Sequence, residues 1–321
     1  MYQKEAEELA EKYGYLPETI QRFISIFGLD ETKKMLTAYE KPPATTIRVN
    51  TLKIKKEELI KRLTKKGFTM DNMEWYDNGL IINKQPFSIG STTEYLSGYY
   101  FIQSKASWLP VLLLNPKPGD IIIDLAAAPG GKATHIAERM NNKGTLICID
   151  ISRERIKSLR SNLTRCGISN TICYRMDSQD IIKLGIKADG ILLDAPCSGE
   201  GLMAIDHERR KARNLDDITR MKELQKNLFV AGLKALKKNG ILVYSTCSTA
   251  PEENEEIIDW ALSKYPIKII EHNYKNFRTG LIKNSEKNYH SDLKKAIRLY
   301  PHTDDSEGFF ACKIQLEEEI S

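Results

Sequence analysis

Apolar residues near the start of the chain recur at steps of three and four, the spacing of helices that bury one face. The pattern breaks at Pro17 and again at Gly28, so it predicts a few short amphipathic helices. The stretch Lys41–Pro43 then interrupts it. Residues 44–50 alternate apolar and polar side chains as a strand does, and residues 52–67 carry a helical stripe.

Two further strand-like runs follow, at residues 80–82 and 99–102. Because these short runs accompany a single predicted helix, they indicate a small α+β module that ends near Ser104. We therefore expect two domains, a helical and α+β module at 1–104 and a second domain at 105–321.

The second domain has a different pattern, in which strand-like runs alternate with helix-like ones. The predicted strands are 121–125, 145–150, 171–176, 190–194 and 241–245. The predicted helices are 132–140, 153–166 and 221–238. Strands that alternate with helices in this way are typical of a parallel sheet covered by helices, so we expect an α/β fold.

Composition narrows the class of protein. The 321 residues are 41% hydrophobic and 28% charged, which is enough apolar material for a core and argues against intrinsic disorder. No run approaches the roughly 18 apolar residues of a membrane-spanning helix, and the first residues lack an apolar signal region. The six cysteines are scattered without a CxxC pair. We therefore expect a cytoplasmic protein with reduced thiols and no membrane partner.

Positive charge is concentrated in the predicted helix of the first module. The net charge of the chain is only +5, but residues 53–66 contain seven Lys or Arg side chains and two Glu side chains. Such a helix is either a solvated surface or a contact for RNA phosphates, and its charge alone leaves both interpretations open.

The first predicted strand of the second domain ends in a turn of small residues. The turn consists of Ala126, Ala127, Ala128, Pro129, Gly130, Gly131 and Lys132. A ligand can approach the backbone closely at such a strand-to-helix turn. Asp150 and Asp177 follow the next two strands, where carboxylates can accept hydrogen bonds from a ribose and an adenine, although a single Asp there is more often a cap. Since Pro129 removes a backbone donor and no G-x-G-x-x-G is present, the set favours S-adenosyl-L-methionine over a dinucleotide.

Two cysteines stand apart from the rest by position. Cys197 and Cys247 follow the fourth and fifth predicted strands, beside the expected ligand crevice. The other four are inside strand or helix patterns and are predicted core residues: Cys148, Cys166, Cys173 and Cys312. No His or third Cys lies at ligand spacing from Cys197 and Cys247, so we expect no metal.

Two thiols beside a methyl donor suit methylation at carbon 5 of a pyrimidine, because that carbon is a poor nucleophile. A thiolate that adds at carbon 6 produces an enamine, whose carbon 5 can attack the methyl group. Asp194 could hold a ring nitrogen or the amino group, which favours cytosine. The spacing leaves open whether Cys197 or Cys247 attacks.

The motifs that carry this chemistry resemble those of the Nop2/Sun (Fmu) family of RNA 5-methylcytosine methyltransferases. They are residues 126–132, 194–199 and 245–248, with further similarity at 47–51, 100–103, 252–255 and 308–311. The resemblance implies that Cys247 is the nucleophile, that Cys197 assists release of the methylated RNA and that Asp194 contacts the cytosine. It also implies that the turn and Asp194 belong to the cofactor site.

The same resemblance places Asp150 and Asp177 in the site of S-adenosyl-L-methionine. Arg155 is a further candidate, whose alternative is an exposed cation on a helix. Lys105 and Ala133 depart from the usual family residues, but neither departure affects the proposed chemistry.

The family's fold is a class I S-adenosyl-L-methionine-dependent methyltransferase, with a Rossmann-like seven-stranded sheet and a small N-terminal RNA-recognition-like module. An antiparallel hairpin forms the edge of that sheet, and residues 308–314 would supply its late strand. The helical start and Lys41–Pro43 resemble archaeal members that act on tRNA. We therefore expect a monomeric tRNA cytosine-C5 methyltransferase, with ribosomal RNA as the alternative substrate.

Two other classes of protein compete with this interpretation. A non-catalytic RNA-binding protein with a methyltransferase fold would not need both strand-end cysteines. A DNA cytosine methyltransferase would place its nucleophile at Cys197, tolerate loss of Cys247 and usually have a separate target-recognition domain. The presence of both cysteines favours RNA methylation.

Overall fold

Two β-sheets organise the chain, a small antiparallel one and a large mixed one. The computed structural model describes residues 2–212, 215–274, 276–284 and 287–320. Its helices are α1 (Gln3–Tyr13), α2 (Pro17–Phe27), α3 (Leu29–Ala38), α4 (Lys56–Lys65), α5 (Thr93–Leu96), α6 (Leu109–Leu114), α7 (Gly131–Arg139), α8 (Arg153–Cys166), α9 (Arg209–Ala212), α10 (Leu215–Ala235), α11 (Glu255–Lys264) and α12 (Pro301–Asp304). Its strands are β1 (Thr46–Val49), β2 (Thr69–Asn72), β3 (Gly79–Lys84), β4 (Tyr100–Ile102), β5 (Ile121–Asp124), β6 (Thr145–Asp150), β7 (Thr171–Arg175), β8 (Ala188–Asp194), β9 (Leu236–Thr246), β10 (Ile267–Ile269), β11 (Arg278–Thr279), β12 (Lys283–Asn284), β13 (Lys287–Asn288), β14 (Ile297–Leu299) and β15 (Phe309–Leu316).

The first three helices confirm the short amphipathic pattern of the N-terminus. Helix α2 begins at Pro17, where the missing N–H costs nothing, and α3 begins just after Gly28, whose φ of 79° is unfavourable for other residues. Their apolar faces pack together and against Met203, Ala204 and Tyr300. The helical start therefore contacts the segment that follows Cys197.

The small sheet has the strand order β2-β3-β1-β4, and all its pairs are antiparallel. Leu59 and Leu63 of α4 pack on it, so the predicted helix and the three predicted strands are confirmed. Strand β2 was not predicted, because its side chains are mostly exposed and show no apolar alternation.

The large sheet has the order β11-β14-β15-β9-β8-β5-β6-β7, with β10 also paired to β15. The five strands from β9 to β7 are parallel, as the alternation of strands and helices predicted. The predicted late strand is β15, which runs antiparallel to β9. The architecture confirms the expected α/β fold, and β10 and β11 widen its antiparallel edge in the described residues.

The predicted helix at 221–238 was wrong at its end. Helix α10 stops at Ala235, and Leu236 already pairs with Ala188 of β8. The register then shifts before Gly190, and Asn239 takes a positive φ of 64° within this irregularity. Tertiary pairing with β8 therefore overrides the helical spacing of the last turn.

Two classes of feature are not found in the described part of the chain. None of its helices is long and apolar enough to cross a membrane. The same residues contain no group of three or more His, Cys, Asp or Glu side chains arranged to hold a metal ion.

A buried ion pair joins the small module to the second domain. Arg48 of β1 pairs with Glu138 of α7, and the two side chains are 1% and 3% exposed. Arg48 also donates to Thr134 Oγ1 at 2.8 Å. Burial raises the pKa of Glu138 although Arg48 opposes this shift, so desolvation of the pair is large.

We expect Arg48→Met to lower the free energy of unfolding by about 3 to 5 kcal/mol, because Glu138 is then buried without its cation. Urea denaturation measures the loss. The matched control is Arg62→Met, whose pair with Glu58 is exposed and should matter little. Equal losses in the two variants would contradict the assignment.

Candidate active site

The two strand-end cysteines meet at the carboxyl edge of the parallel strands. Strands β8 and β9 are neighbours with Asp194 opposite Ser245, and the Ala195 N–H donates to the Ser245 carbonyl at 2.8 Å. The chain then turns on both sides, and the sulfur atoms of Cys197 and Cys247 lie 3.2 Å apart. Both residues are partly buried. Two residues 50 positions apart in sequence thus form one pair of thiols.

Backbone contacts hold the two cysteine loops at a fixed separation. The Gly201 N–H donates to the Cys247 carbonyl at 2.9 Å, and the Gly308 N–H donates to the Gly201 carbonyl at 3.0 Å. A Cβ atom at position 201 would lie 1.9 Å from the Gly308 oxygen, so only glycine fits there.

The two thiols differ in their surroundings. A hydrogen bond with Cys247, together with burial and nearby negative charge, raises the pKa of Cys197 well above its ordinary value. Cys197 therefore stays protonated at neutral pH. Its S–H is placed to donate to the Cys247 sulfur.

Asp194 is the centre of a polar cluster beside the thiols. It accepts from Lys132 Nζ at 2.6 Å and from Ser245 Oγ at 2.7 Å. Burial disfavours the Lys132 charge, but the Asp194 carboxylate outweighs it and raises the pKa of Lys132. Lys132 was predicted only as part of the cofactor turn, and its ammonium group in fact joins that turn to Asp194.

The turn of small residues connects β5 to α7 and borders a cavity at the ends of the strands. The residues that line this cavity include Ala126, Asp150, Ile151, Arg155, Asp177, Ser178 and Pro196. An adjoining cavity is lined by Ala126, Ala127, Ala128, Pro129, Gly131, Lys132, Asp194 and by Phe101–Gln103 around β4. Gly130 lines neither cavity. It faces α8 instead, where a Cβ atom at this position would lie 3.0 Å from the Leu159 side chain. The remaining predicted cofactor residues are thus brought together around two connected spaces.

The acidic residues at the strand ends combine two tasks. Asp150 accepts from the Ser152 N–H and Asp177 from the Gln179 N–H, each at 2.9 Å, so both cap the turn that follows them. Both also line the first cavity. Arg155 donates to the Ala128 carbonyl, and its guanidinium lies 3.4 Å from Asp150 Oδ2. Arg155 is 55% exposed, so it bridges the turn and α8 from the rim.

Asp150 offers an acceptor to a ligand in this cavity. Its Oδ2 is buried, accepts no hydrogen bond among the described residues and lies 3.4 Å from the Arg155 guanidinium. Because Asp150 lines the first cavity, this oxygen can accept from a donor that a ligand brings. The ribose hydroxyls of S-adenosyl-L-methionine are such donors, and the residues present fit that cofactor.

Sequence reasoning missed several side chains that support the cysteine loops. Glu253, Ser198, Ser248 and Gln225 form a buried network around them. In the sequence, residues 252–255 stand out only through the resemblance to the family. Glu253 is 55 residues from Ser198 along the chain, and no motif predicts their contact.

The other cysteines lie away from this site. Cys148, Cys166 and Cys312 are buried core residues, as predicted. Cys173 was also predicted to be a core residue, but it is only partly buried. It lies on β7, the edge strand of the sheet, opposite Cys148 of β6.

Comparison with known proteins assigns both parts of the chain. Residues 111–315 match the family described as 16S rRNA methyltransferase RsmB/F, and residues 16–105 match the N-terminal domain of 16S rRNA methyltransferase RsmF. A crystal structure of a methyltransferase homologue from Pyrococcus horikoshii superposes with a TM-score of 0.90 and 38% identity, over 97% of this chain and 99% of that one.

Two curated relatives represent different RNA substrates. A Homo sapiens 28S rRNA (cytosine(4447)-C(5))-methyltransferase is 36% identical over 96% of this chain, which spans 38% of that protein. A Pyrococcus abyssi tRNA (cytosine(49)-C(5))-methyltransferase is 34% identical over 89% of this chain and 93% of its own length. The chain spans about half or less of the eukaryotic rRNA relatives it matches.

The family match agrees with the motifs at the strand ends, and it confirms the resemblance to RNA cytosine-C5 methyltransferases. It also confirms S-adenosyl-L-methionine as the cofactor. The chain belongs to the RsmB/F family of methyltransferases, the group in which Nop2/Sun proteins are found.

Proposed function

We propose that this protein transfers a methyl group from S-adenosyl-L-methionine to carbon 5 of cytosine in RNA, through a covalent bond between Cys247 and carbon 6. The observation that carries the proposal is the 3.2 Å contact between the Cys197 and Cys247 sulfurs beside the paired Asp194 and Lys132. A methyltransferase that acted on an amino group would need neither thiol.

The cofactor supplies an electrophilic methyl group on its sulfonium centre when it is bound. We assign its binding to residues 126–132, Asp150 and Asp177, with Asp194 at the boundary to the substrate and Arg155 at the rim. Asp150 Oδ2 supports this assignment, because Asp150 lines the cavity and this oxygen accepts no hydrogen bond among the described residues.

The chain's own residues prepare the cytosine for attack. The Cys247 thiolate forms a bond to carbon 6, and the electron pair of the carbon 5–carbon 6 double bond becomes available at carbon 5. Carbon 5 then takes the methyl group as the methyl–sulfur bond breaks, and the sulfonium sulfur keeps that electron pair as a neutral thioether. Asp194 holds the polar edge of the base, and Lys132 fixes the orientation of that carboxylate.

Product release needs the other thiol. After methylation carbon 5 carries both a methyl group and a proton, and a base removes that proton. The double bond then re-forms and Cys247 leaves as a thiolate. Cys197 remains protonated beside it, so its S–H stabilises the departing sulfur by a hydrogen bond.

We expect Cys247→Ala to abolish methyl transfer and Cys197→Ala to accumulate a covalent protein–RNA adduct, because only the second variant can add to the base. Transfer of a labelled methyl group and a denaturing gel of the adduct measure the two effects. Cys173→Ala is the matched control and should keep activity, since that thiol lies outside the site. Methylation by Cys247→Ala would exclude this mechanism.

We propose tRNA as the substrate. The tRNA methyltransferase of Pyrococcus abyssi aligns with this chain over 93% of its length, whereas the human rRNA methyltransferase aligns over 38% of its length. The similarity to the tRNA enzyme thus extends over nearly a whole protein. Ribosomal RNA is the second candidate, because the rRNA relatives are equally similar over the shared region.

Bisulfite sequencing of tRNA and rRNA from cells that lack the protein tests the choice. We expect loss of cytosine protection in tRNA, because a methyl group at carbon 5 slows deamination. Reintroduction of the unaltered protein should restore protection, and the Cys247→Ala variant should not. Loss confined to rRNA would replace tRNA by the second candidate.

We propose that the module at 1–104 binds the RNA through the basic segment 53–66, which contains α4. Several cations of this segment are already engaged within the protein. Lys53 donates to the Ser97 and Arg165 carbonyls, Lys56 to the Asp77 carbonyl, and Lys66 pairs with Glu94. Lys55, Lys61 and Lys65 are exposed and take part in no ion pair among the described residues. These three are available to phosphates.

Reversal of Lys55, Lys61 and Lys65 to Glu should weaken RNA binding and lower the slope of log affinity against log salt by roughly 2 to 3, since each phosphate contact contributes almost one. Equilibrium binding at several salt concentrations measures both. The matched control reverses Lys117, Lys143 and Lys238, which are exposed at the amino ends of the parallel strands. If both triple variants bind RNA alike, α4 is only a solvated surface.

A further inference from the structure

Glu253 is a fully buried carboxylate in the short turn Pro251–Glu253, six residues after Cys247. Its acidic neighbours are matched by cations: Glu252 with Arg22, Glu255 with Arg298, and Glu256 with Lys222 and Lys287. Glu253 takes part in no ion pair within the described ranges. A buried carboxylate without a cation is unfavourable unless hydrogen bonds stabilise it, so Glu253 depends on its hydrogen bonds.

The side-chain hydrogen bonds of Glu253 join it to the loop of Cys197 and to Gln225 of α10. Its Oε1 accepts from the Ser198 N–H at 2.8 Å, and its Oε2 accepts from Ser198 Oγ at 2.6 Å. Gln225 Nε2 donates to Oε1 at 3.1 Å and to the Pro196 carbonyl at 2.8 Å. The residues on both sides of Cys197 are therefore held by one carboxylate and one amide.

The same network reaches the other thiol. Ser198 Oγ and Ser248 Oγ lie 3.1 Å apart, and Ser248 Oγ accepts from the Ala250 N–H at 3.1 Å. Since the Ser198 hydroxyl proton is donated to Glu253, the Ser248 hydroxyl donates to Ser198. Ser248 follows Cys247 directly, so this chain of hydroxyls connects the two cysteine loops to Glu253.

The charges that face Cys197 come from several elements. Asp194 on β8 and Glu253 after β9 are negative, and Cys247 is the neighbouring thiol. Arg209 donates to the Ser198 carbonyl at 3.2 Å, but its guanidinium is paired with Asp206. Lys132 is paired with Asp194. Arg22 also interacts electrostatically with Glu253, but its guanidinium is paired with Glu200 and Glu252. Glu253 is thus a negative charge near Cys197 that forms no ion pair among the described residues.

We propose that Glu253 is a positioning residue, which holds the Cys197 loop against Cys247 and keeps Cys197 as a thiol while Cys247 attacks. The inference rests on the proposed function, because it concerns how the two thiols divide the reaction. It explains why two sulfurs at hydrogen-bond distance do not compete for the same role. The charge of Glu253 acts on one thiol, and its hydrogen bonds fix the position of that thiol.

The first test uses no RNA, so it stands even if the proposed function fails. Alkylation of Cys197 by iodoacetamide is followed against pH by peptide mass spectrometry, in Cys247→Ala and in Cys247→Ala/Glu253→Gln. Loss of the negative charge should lower the pH midpoint by about one unit and speed alkylation about tenfold below that midpoint. An unchanged midpoint overturns the proposal.

Two control variants separate charge from packing. Glu252→Gln in the Cys247→Ala background removes the adjacent carboxylate, which is paired with Arg22, and should leave the midpoint unchanged. Ser198→Ala in that background cuts one hydrogen bond but keeps the charge, so the midpoint should remain high. If Glu253→Gln and Glu252→Gln shift the pH midpoint of Cys197 alkylation equally, the specific role of Glu253 is overturned.

The second test measures turnover with RNA and S-adenosyl-L-methionine. Glu253→Ala should accumulate the covalent protein–RNA adduct as Cys197→Ala does, because the Cys197 loop loses its support. Glu253→Gln, which retains hydrogen-bonding groups, should release more product than Glu253→Ala. Wild-type release by Glu253→Ala overturns the proposal, whereas methylation by Cys247→Ala would overturn the proposed function and leave the alkylation result intact.

Discussion

Parallel strands β8 and β9 hold Asp194 opposite Ser245. This pairing sets the positions of Asp194, Cys197 and Cys247, the residues of the proposed chemistry. A slip of one residue would turn the side chains of one strand to the other face of the sheet. The Asp194 carboxylate would then lose its Ser245 partner, and the turns with Cys197 and Cys247 would no longer meet. The hydrogen-bond ladder therefore sets the geometry, and Gly201 and Glu253 refine it.

A second constraint joins the proposed RNA-binding module to the proposed cofactor site. Arg48 of the small sheet is buried against Glu138 and Thr134 of α7, and α7 begins within the turn of small residues. Residues around β4 of the same small sheet line the cavity beside that turn. Because the module is fixed by a desolvated ion pair, its basic helix has a defined position relative to the cysteines. Under the proposed function, such a link allows RNA bound on α4 to present a base at one place.

The helical N-terminus makes a different contribution. It packs on the segment after Cys197, where Tyr39 Oη donates to the Glu200 carbonyl at 3.1 Å and Arg22 pairs with the Glu200 side chain. The loop that carries Cys197 is thus supported from the N-terminal helices as well as from Glu253. The N-terminal helices carry no predicted catalytic or binding residue, yet they support the loop that holds Cys197.

The sequence by itself determined the α/β class, the parallel strands, the turn of small residues after β5 and the position of two cysteines after strand ends, because periodicity and strand-end motifs are local properties of a chain. It misplaced the end of α10, since Leu236 pairs with β8, and it did not find Glu253 or the contact between Lys132 and Asp194. These features are decided by which side chains meet after folding. Tertiary structure alone brings Cys197 and Cys247 to 3.2 Å and places Cys197 near the Glu253 carboxylate, because burial and electrostatic fields depend on three-dimensional distance and not on spacing along the chain.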